Sequence, residues 1–211
     1  MAIGTAESHG VVQILDQATG LMKKSRYLEA ANALEDALTK YPTSKEILQQ
    51  LVVCNIELKR PQSAIYMLDR ITKTAPDELS AWSDKGFLHL LLNENKEGTE
   101  ALTKSIELDS RNGYVWQLLG LAHMGEERWA EGLDAFERSL LLDPNSAITW
   151  YNRAVCFFFL EYFHEALASV ERAYSLDPDL EALAEEWVTI LQEAVDELGI
   201  DYVDDFEAQA S

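Results

Sequence analysis

The sequence predicts an all-α fold, a tandem array of five helical hairpins closed by one further helix. Two observations carry that expectation. Trp82, Trp116 and Trp150 recur every 34 residues, and four of the five prolines (Pro42, Pro76, Pro144 and Pro178) fall at one place in the same period. A fixed period of this length marks an array of repeated supersecondary units. With 47% hydrophobic and 26% charged residues, and only 10 Gly and 5 Pro among 211, the composition suits long elements rather than many short strands.

Taken in order, residues 1–10 are expected to be an N-terminal tail. The period then divides residues 11–180 into segments 11–44, 45–78, 79–112, 113–146 and 147–180 without insertion or deletion. Position 4 reads Ile14, Leu48, Trp82, Trp116 and Trp150, and position 24 reads Leu34, Leu68, Leu102, Phe136 and Val170. Position 8 reads Ala18, Val52, Gly86, Gly120 and Ala154, and position 20 reads Ala30, Ala64, Gly98, Gly132 and Ala166. Positions 4, 7, 8 and 11 share one helical face, as do 20, 24, 27 and 28. Small residues at 8 and 20 let two helices approach closely, and large ones at 4 and 24 fill the space between them. Position 32 reads Pro42, Pro76, Ser110, Pro144 and Pro178, and proline there breaks the chain before the next unit. One hairpin cannot bury its own apolar face, so neighbours must stack.

Residues 181–198 are expected to form a capping helix. Leu183, Trp187, Ile190, Leu191, Ala194 and Leu198 make an apolar stripe, with Glu185, Glu186, Glu193, Asp196 and Glu197 opposite. Gly199 stops it. Residues 199–211 read as an acidic tail carrying Tyr202 and Phe206.

Trp116-x-x-Leu119-Gly120, followed by Gly132, Phe136 and Pro144, resembles the tetratricopeptide repeat signature, as do the endings Leu142-Asp143-Pro144 and Leu176-Asp177-Pro178. The resemblance covers about four-fifths of the chain and departs from the family at His89, His123 and Ser110. It implies a right-handed superhelical solenoid whose first helices line a concave face, and a non-catalytic role in binding other polypeptides.

The net charge of −20 disfavours nucleic acid as a partner. Residues 1–110 carry 12 Lys/Arg against 16 Asp/Glu, and residues 111–211 carry 5 against 21. That excess either solvates the surface or steers a basic partner to the C-terminal half. No apolar run approaches a bilayer span, and residues 1–10 lack the charged start and apolar core of a secretory signal. Two cysteines, Cys54 and Cys156, form no disulfide framework or metal spacing, so a cytoplasmic protein without cofactors is expected. Both sit at position 10 and read as small buried residues. His89 and His123, at position 11 of adjacent repeats, read as packing residues, being about 10 Å apart by helix spacing and too distant to share a metal.

Positions 2, 5, 9, 12 and 13 form a second helical stripe, separate from the packing stripe. It is apolar in the last three repeats. The candidate groove is Phe87, Leu90 and Leu91; Tyr114, Gln117, Leu121 and Met124; and Ile148, Tyr151, Asn152, Val155, Phe158 and Phe159. A surface helix normally carries one apolar stripe, so a second either packs on neighbouring repeats or binds a partner. The binding reading predicts an apolar peptide or helix with basic flanks, with Asn152 and Gln117 bonding its backbone. Some tetratricopeptide domains clamp a terminal carboxylate with cations on this face, but none of the corresponding positions here is basic. A self-assembling scaffold or homo-oligomer, using the tail or the groove, and a secretion-type holding chaperone are the alternatives.

Overall fold

The computed structural model describes the backbone of residues 2–198 and the side chains of residues 9–181 and 187–196. The expected acidic tail, with Tyr202 and Phe206, lies outside the described residues, as do the side chains of Leu183, Glu185, Glu186, Glu197 and Leu198. Eleven helices, and no strand, occur among the described residues: α1 (Ala2–Met22), α2 (Tyr27–Lys40), α3 (Lys45–Glu57), α4 (Pro61–Thr74), α5 (Leu79–Leu91), α6 (Asn95–Leu108), α7 (Gly113–Gly125), α8 (Trp129–Leu142), α9 (Ala147–Phe159), α10 (Phe163–Leu176) and α11 (Asp179–Leu198). α1 starts at Ala2, so the segment expected as an N-terminal tail is helical from its second residue.

The period is repeated in the backbone. From α3 to α10, first helices occupy positions 1–13 and second helices positions 17–30. Between them lies the same turn five times. The position-16 amide donates to the position-11 carbonyl, as in Arg60 to Asn55 at 2.8 Å and Arg128 to His123 at 2.9 Å. The position-15 amide donates to position 12, as in Lys59 to Ile56 at 3.0 Å. Those two bonds define the Schellman ending of a helix, which requires a left-handed residue at position 15. Ser25, Lys59, Asn93, Glu127 and Glu161 all adopt it, with φ of 56–65°, and none is glycine.

The tryptophan period has a hydrogen-bonding cause. Each indole N–H donates to the backbone carbonyl at position 32 of the preceding unit: Trp82 to Pro76 at 2.8 Å, Trp116 to Ser110 at 2.8 Å and Trp150 to Pro144 at 2.9 Å. The acceptor is main chain, so Ser110 serves as well as proline. The start of α7 is capped by the Asn112 side chain, which accepts from the amides of Tyr114 and Val115 at 3.1 and 3.4 Å.

The described helices fall into two compact units, α1–α6 and α7–α11, divided between Asp109 and Ser110. In the first, consecutive helices pack on one another and α1 also touches α3. Its core includes Leu34, Ile47, Leu48, Leu51, Leu68 and Ile71, all fully or nearly fully buried. In the second, consecutive helices pack likewise and α7 also touches α9. Phe136, Val115, Ala154, Val170 and Leu191 are buried there. Positions 8 and 20 meet as expected: a Cβ built on Gly132 would lie 3.4 Å from the Gly120 carbonyl oxygen, and one on Gly98 at the same distance from that of Gly86.

Candidate functional site

The second apolar stripe meets different fates along the chain. On α9, Tyr151 and Phe158 are half-buried against Trp187 of α11. The Trp187 ring stands edge-on to both at 5.8 Å, and its indole N–H donates to the Tyr151 hydroxyl at 2.9 Å. Phe158 also meets Phe159 and Phe163, at 5.6 and 5.9 Å. Phe159 stacks face to face on Trp129, the first residue of α8, with ring centroids 4.0 Å apart, and still leaves 52% of its surface open. Asn152 is 7% exposed, which leaves little of it for a ligand to touch.

Position 12 turns inward elsewhere too. Leu90 lies 3.1 Å from a Cβ built on Gly98, and Met124 lies 3.5 Å from one built on Gly132. Each side chain packs over the small residue at position 20 of its own hairpin. The stripe therefore does two jobs: positions 5, 12 and 13 of the last hairpin, and position 12 of the two before it, are engaged in internal packing.

Besides Phe159, what stays open on the stripe in the second unit is position 2, with half-buried position 9 beside it. Tyr114 and Ile148 expose 54% and 44% of their surface, and Leu121 and Val155 are half-buried, as is Gln117. These residues lie on α7 and α9, which touch. In the first unit, Leu91 is 60% exposed, while Phe87 packs half-buried on that unit's core. A hollow of about 180 Å³ lies on this stripe between α3 and α5, edged by Gln49, Val53, Ser80 and Asp84.

Two larger clefts, about 690 Å³ each, lie away from the stripe, one per unit. Both are floored by the position-4 tryptophan and a position-7 cation, a pairing that sequence reasoning missed. In the first, Lys85 pairs with Asp69 at 2.6 Å and stands 5.6 Å from the Trp82 ring centroid. In the second, Arg153 lies 5.2 Å from the Trp150 ring and 4.6 Å from that of Phe157, pairs with Glu137 at 3.3 Å and donates to Ser169 at 2.8 Å. The signal was present as a basic residue one turn after tryptophan.

The two cysteines and the two position-11 histidines are buried in the packing. Cys54 and Cys156 are fully buried, and burial pushes the Cys156 thiol up to about 12, leaving it protonated and unreactive at neutral pH. His89 and His123 are both buried. His89 Nδ1 lies 2.7 Å from a Glu94 oxygen, whereas His123 Nδ1 has no hydrogen-bond partner, and burial lowers the pKa of that ring. No group of three or more His, Cys, Asp or Glu that could hold a metal occurs among the described residues, and no described helix is long and apolar enough to cross a membrane.

Sequence models of the tetratricopeptide repeat match residues 21–85, 113–146 and 147–180, the last two being the hairpins α7/α8 and α9/α10. The chain belongs to the tetratricopeptide repeat family. No curated protein matches it in sequence. Among solved structures it is similar to a MamA protein at 17% identity, with a TM-score of 0.75 over 83% of this chain and 94% of that one. It is also similar to MamA 41-end from Desulfovibrio magneticus RS-1, at 19% identity and a TM-score of 0.74 over 79% and 94%. A third likeness is to MamA MSR-1, at 24% identity and a TM-score of 0.69 over 80% and 97%. At such identities the likeness is one of fold. As a tetratricopeptide repeat protein, the chain has the architecture of a scaffold for other proteins.

Proposed function

We propose that this chain is a non-catalytic cytoplasmic adaptor that holds an apolar segment of a partner, flanked by basic residues, on the open face of α7 and α9. The observation that carries the reading is the pair Tyr114 and Ile148, both at position 2, standing exposed beside half-buried Leu121 and Val155. Charge selects the occupant: residues 111–211 hold 21 Asp/Glu against 5 Lys/Arg, so basic flanks are drawn in and acidic ones repelled. This footprint is narrower than the one the sequence suggests, because Tyr151 and Phe158 pack on Trp187 and Asn152 is buried.

Covering four such side chains yields at most about 6–12 kcal/mol gross. Association and ordering remove much of that, leaving an affinity around micromolar. The test is a peptide array of amphipathic segments with lysine flanks, read against the wild-type chain and against Tyr114→Ala with Ile148→Ala. The double variant should lose at least about a hundredfold in affinity, because two contacts of about 1.5–3 kcal/mol each disappear, and its thermal midpoint should stay close to wild type. Undiminished binding to the double variant would remove the reading.

A further inference from the structure

We propose that α11 is a displaceable plug, whose Trp187 closes an aromatic seat on α9 and α10 that a basic partner helix carrying a tryptophan can take over. The inference rests on reading the chain as a protein-binding scaffold, but it concerns a different surface from Tyr114 and Ile148.

The seat is made by Tyr151 and Phe158 of α9, each edge-on to Trp187, with Phe163 of α10 against Phe158 and Tyr174 of α10 half-buried on the same core cluster. It is built for an aromatic ring bearing an N–H, since the Tyr151 hydroxyl accepts the Trp187 indole proton at 2.9 Å. α11 does not satisfy it fully. The Tyr174 hydroxyl is buried without a hydrogen-bond partner, beside Tyr151 and Glu181. A buried hydroxyl left unmatched is a standing penalty, so an occupant that also bonds Tyr174 gains about tenfold over α11.

Charge points the same way. Residues 179–198 carry seven Asp/Glu and no Lys or Arg, and they lie in a half of the chain that is itself strongly acidic. Like charges weaken the hold of α11 on its own seat, whereas a helix of the same apolar pattern with lysines would be attracted. Only Asp177 and Pro178 join α10 to α11, so rotation at two residues is enough to swing the helix away.

The test uses the full chain and a labelled synthetic peptide with the sequence of residues 179–198 in which Glu181, Glu193 and Asp196 are replaced by lysine. Trp187→Ala should bind the peptide at least about tenfold more tightly than wild type, because the internal competitor has lost its anchor. Adding Tyr151→Ala to Trp187→Ala should abolish the gain, and adding Tyr114→Ala should not, which separates this seat from the face of α7 and α9. In the wild type, hydrogen exchange should show α11 amides opening well before those of α9 and α10. Equal peptide affinity for wild type and Trp187→Ala overturns the proposal, as does α11 exchanging only with the rest of its unit. Doubling of the Trp187→Ala mass in solution also overturns it, since the seat would then belong to a second copy.

Discussion

The hairpins α7/α8 and α9/α10 occupy the same place in the period and solve the same packing problem with different residues. In α7/α8, Gly120 at position 8 faces Phe136 at position 24, and in α9/α10 the same positions hold Ala154 and Val170, members of one buried cluster. All four are buried, so each pair fills the interhelical space with one small and one large partner. Position 11 is His123 in one and Phe157 in the other, both buried. Position 5 is half-buried Gln117 in one, and in the other Tyr151, hydrogen-bonded to Trp187. The lesson is that the packing positions are constrained in pairs within a hairpin. The fate of the outer stripe depends on what the next element brings.

The largest effect expected from breaking this comparison is at Gly120. A Cβ there would lie within 2.7 Å of three Phe136 ring carbons, and Phe136 is fully buried and cannot swing aside. Gly120→Ala should cost about 3 kcal/mol in denaturant unfolding, the upper part of the range for overpacking a core. Combining it with Phe136→Val recreates the α9/α10 pairing. The double variant should then recover about 1–2 kcal/mol relative to the sum of the single changes. Additive costs would show that the two positions are not coupled.

A smaller effect separates position 11. Burial holds the His123 pKa below its ordinary 6.5, and Arg128 adds to the lowering. The unfolded chain therefore binds that proton more readily than the folded one, and stability falls as pH drops through about 6.5. His123→Phe, which copies α9, should flatten the slope of stability against pH between 7 and 5.5. A slope unchanged from wild type would show that the ring takes up its proton without penalty.

The smallest effect lies in the turns. Glu127 and Glu161 both sit at position 15 with φ of 57° and 65°, where a side chain other than glycine is strained. Glu127→Gly and Glu161→Gly should each stabilise by a few tenths to about 1 kcal/mol, the relief of strain being partly offset by glycine's extra freedom when unfolded. A loss of stability at either position would mean that the glutamate makes contacts worth more than the strain it bears.

Much of the fold was legible because its signals are local. Trp116 with Leu119 and Gly120 announced the first helix of a unit, and the Leu-Asp-Pro endings marked where the second stops. The turn between them was not legible. Its left-handed residue is Ser, Lys or Glu in four of the five turns, which do not advertise a positive φ, and only Asn93 belongs to a type that favours one. Of the candidate groove, the sequence marked a stripe but not which of its members remain exposed. Tyr114 and Tyr151 look equally available as residues of an outer helical face. Trp187 was readable as part of an amphipathic helix, but nothing in its spacing tells that it reaches back to Tyr151.

By itself the sequence determined the ladder of helices and turns, since each decisive contact lies within a few residues: the indoles of Trp82, Trp116 and Trp150 each bond a carbonyl six residues back, and each Schellman turn closes over five. Only the tertiary structure decided which greasy side chains of the outer stripe are covered and which stay exposed. Exposure belongs to a residue together with whatever lies across from it, and for Tyr151 that neighbour is 36 residues away on another helix.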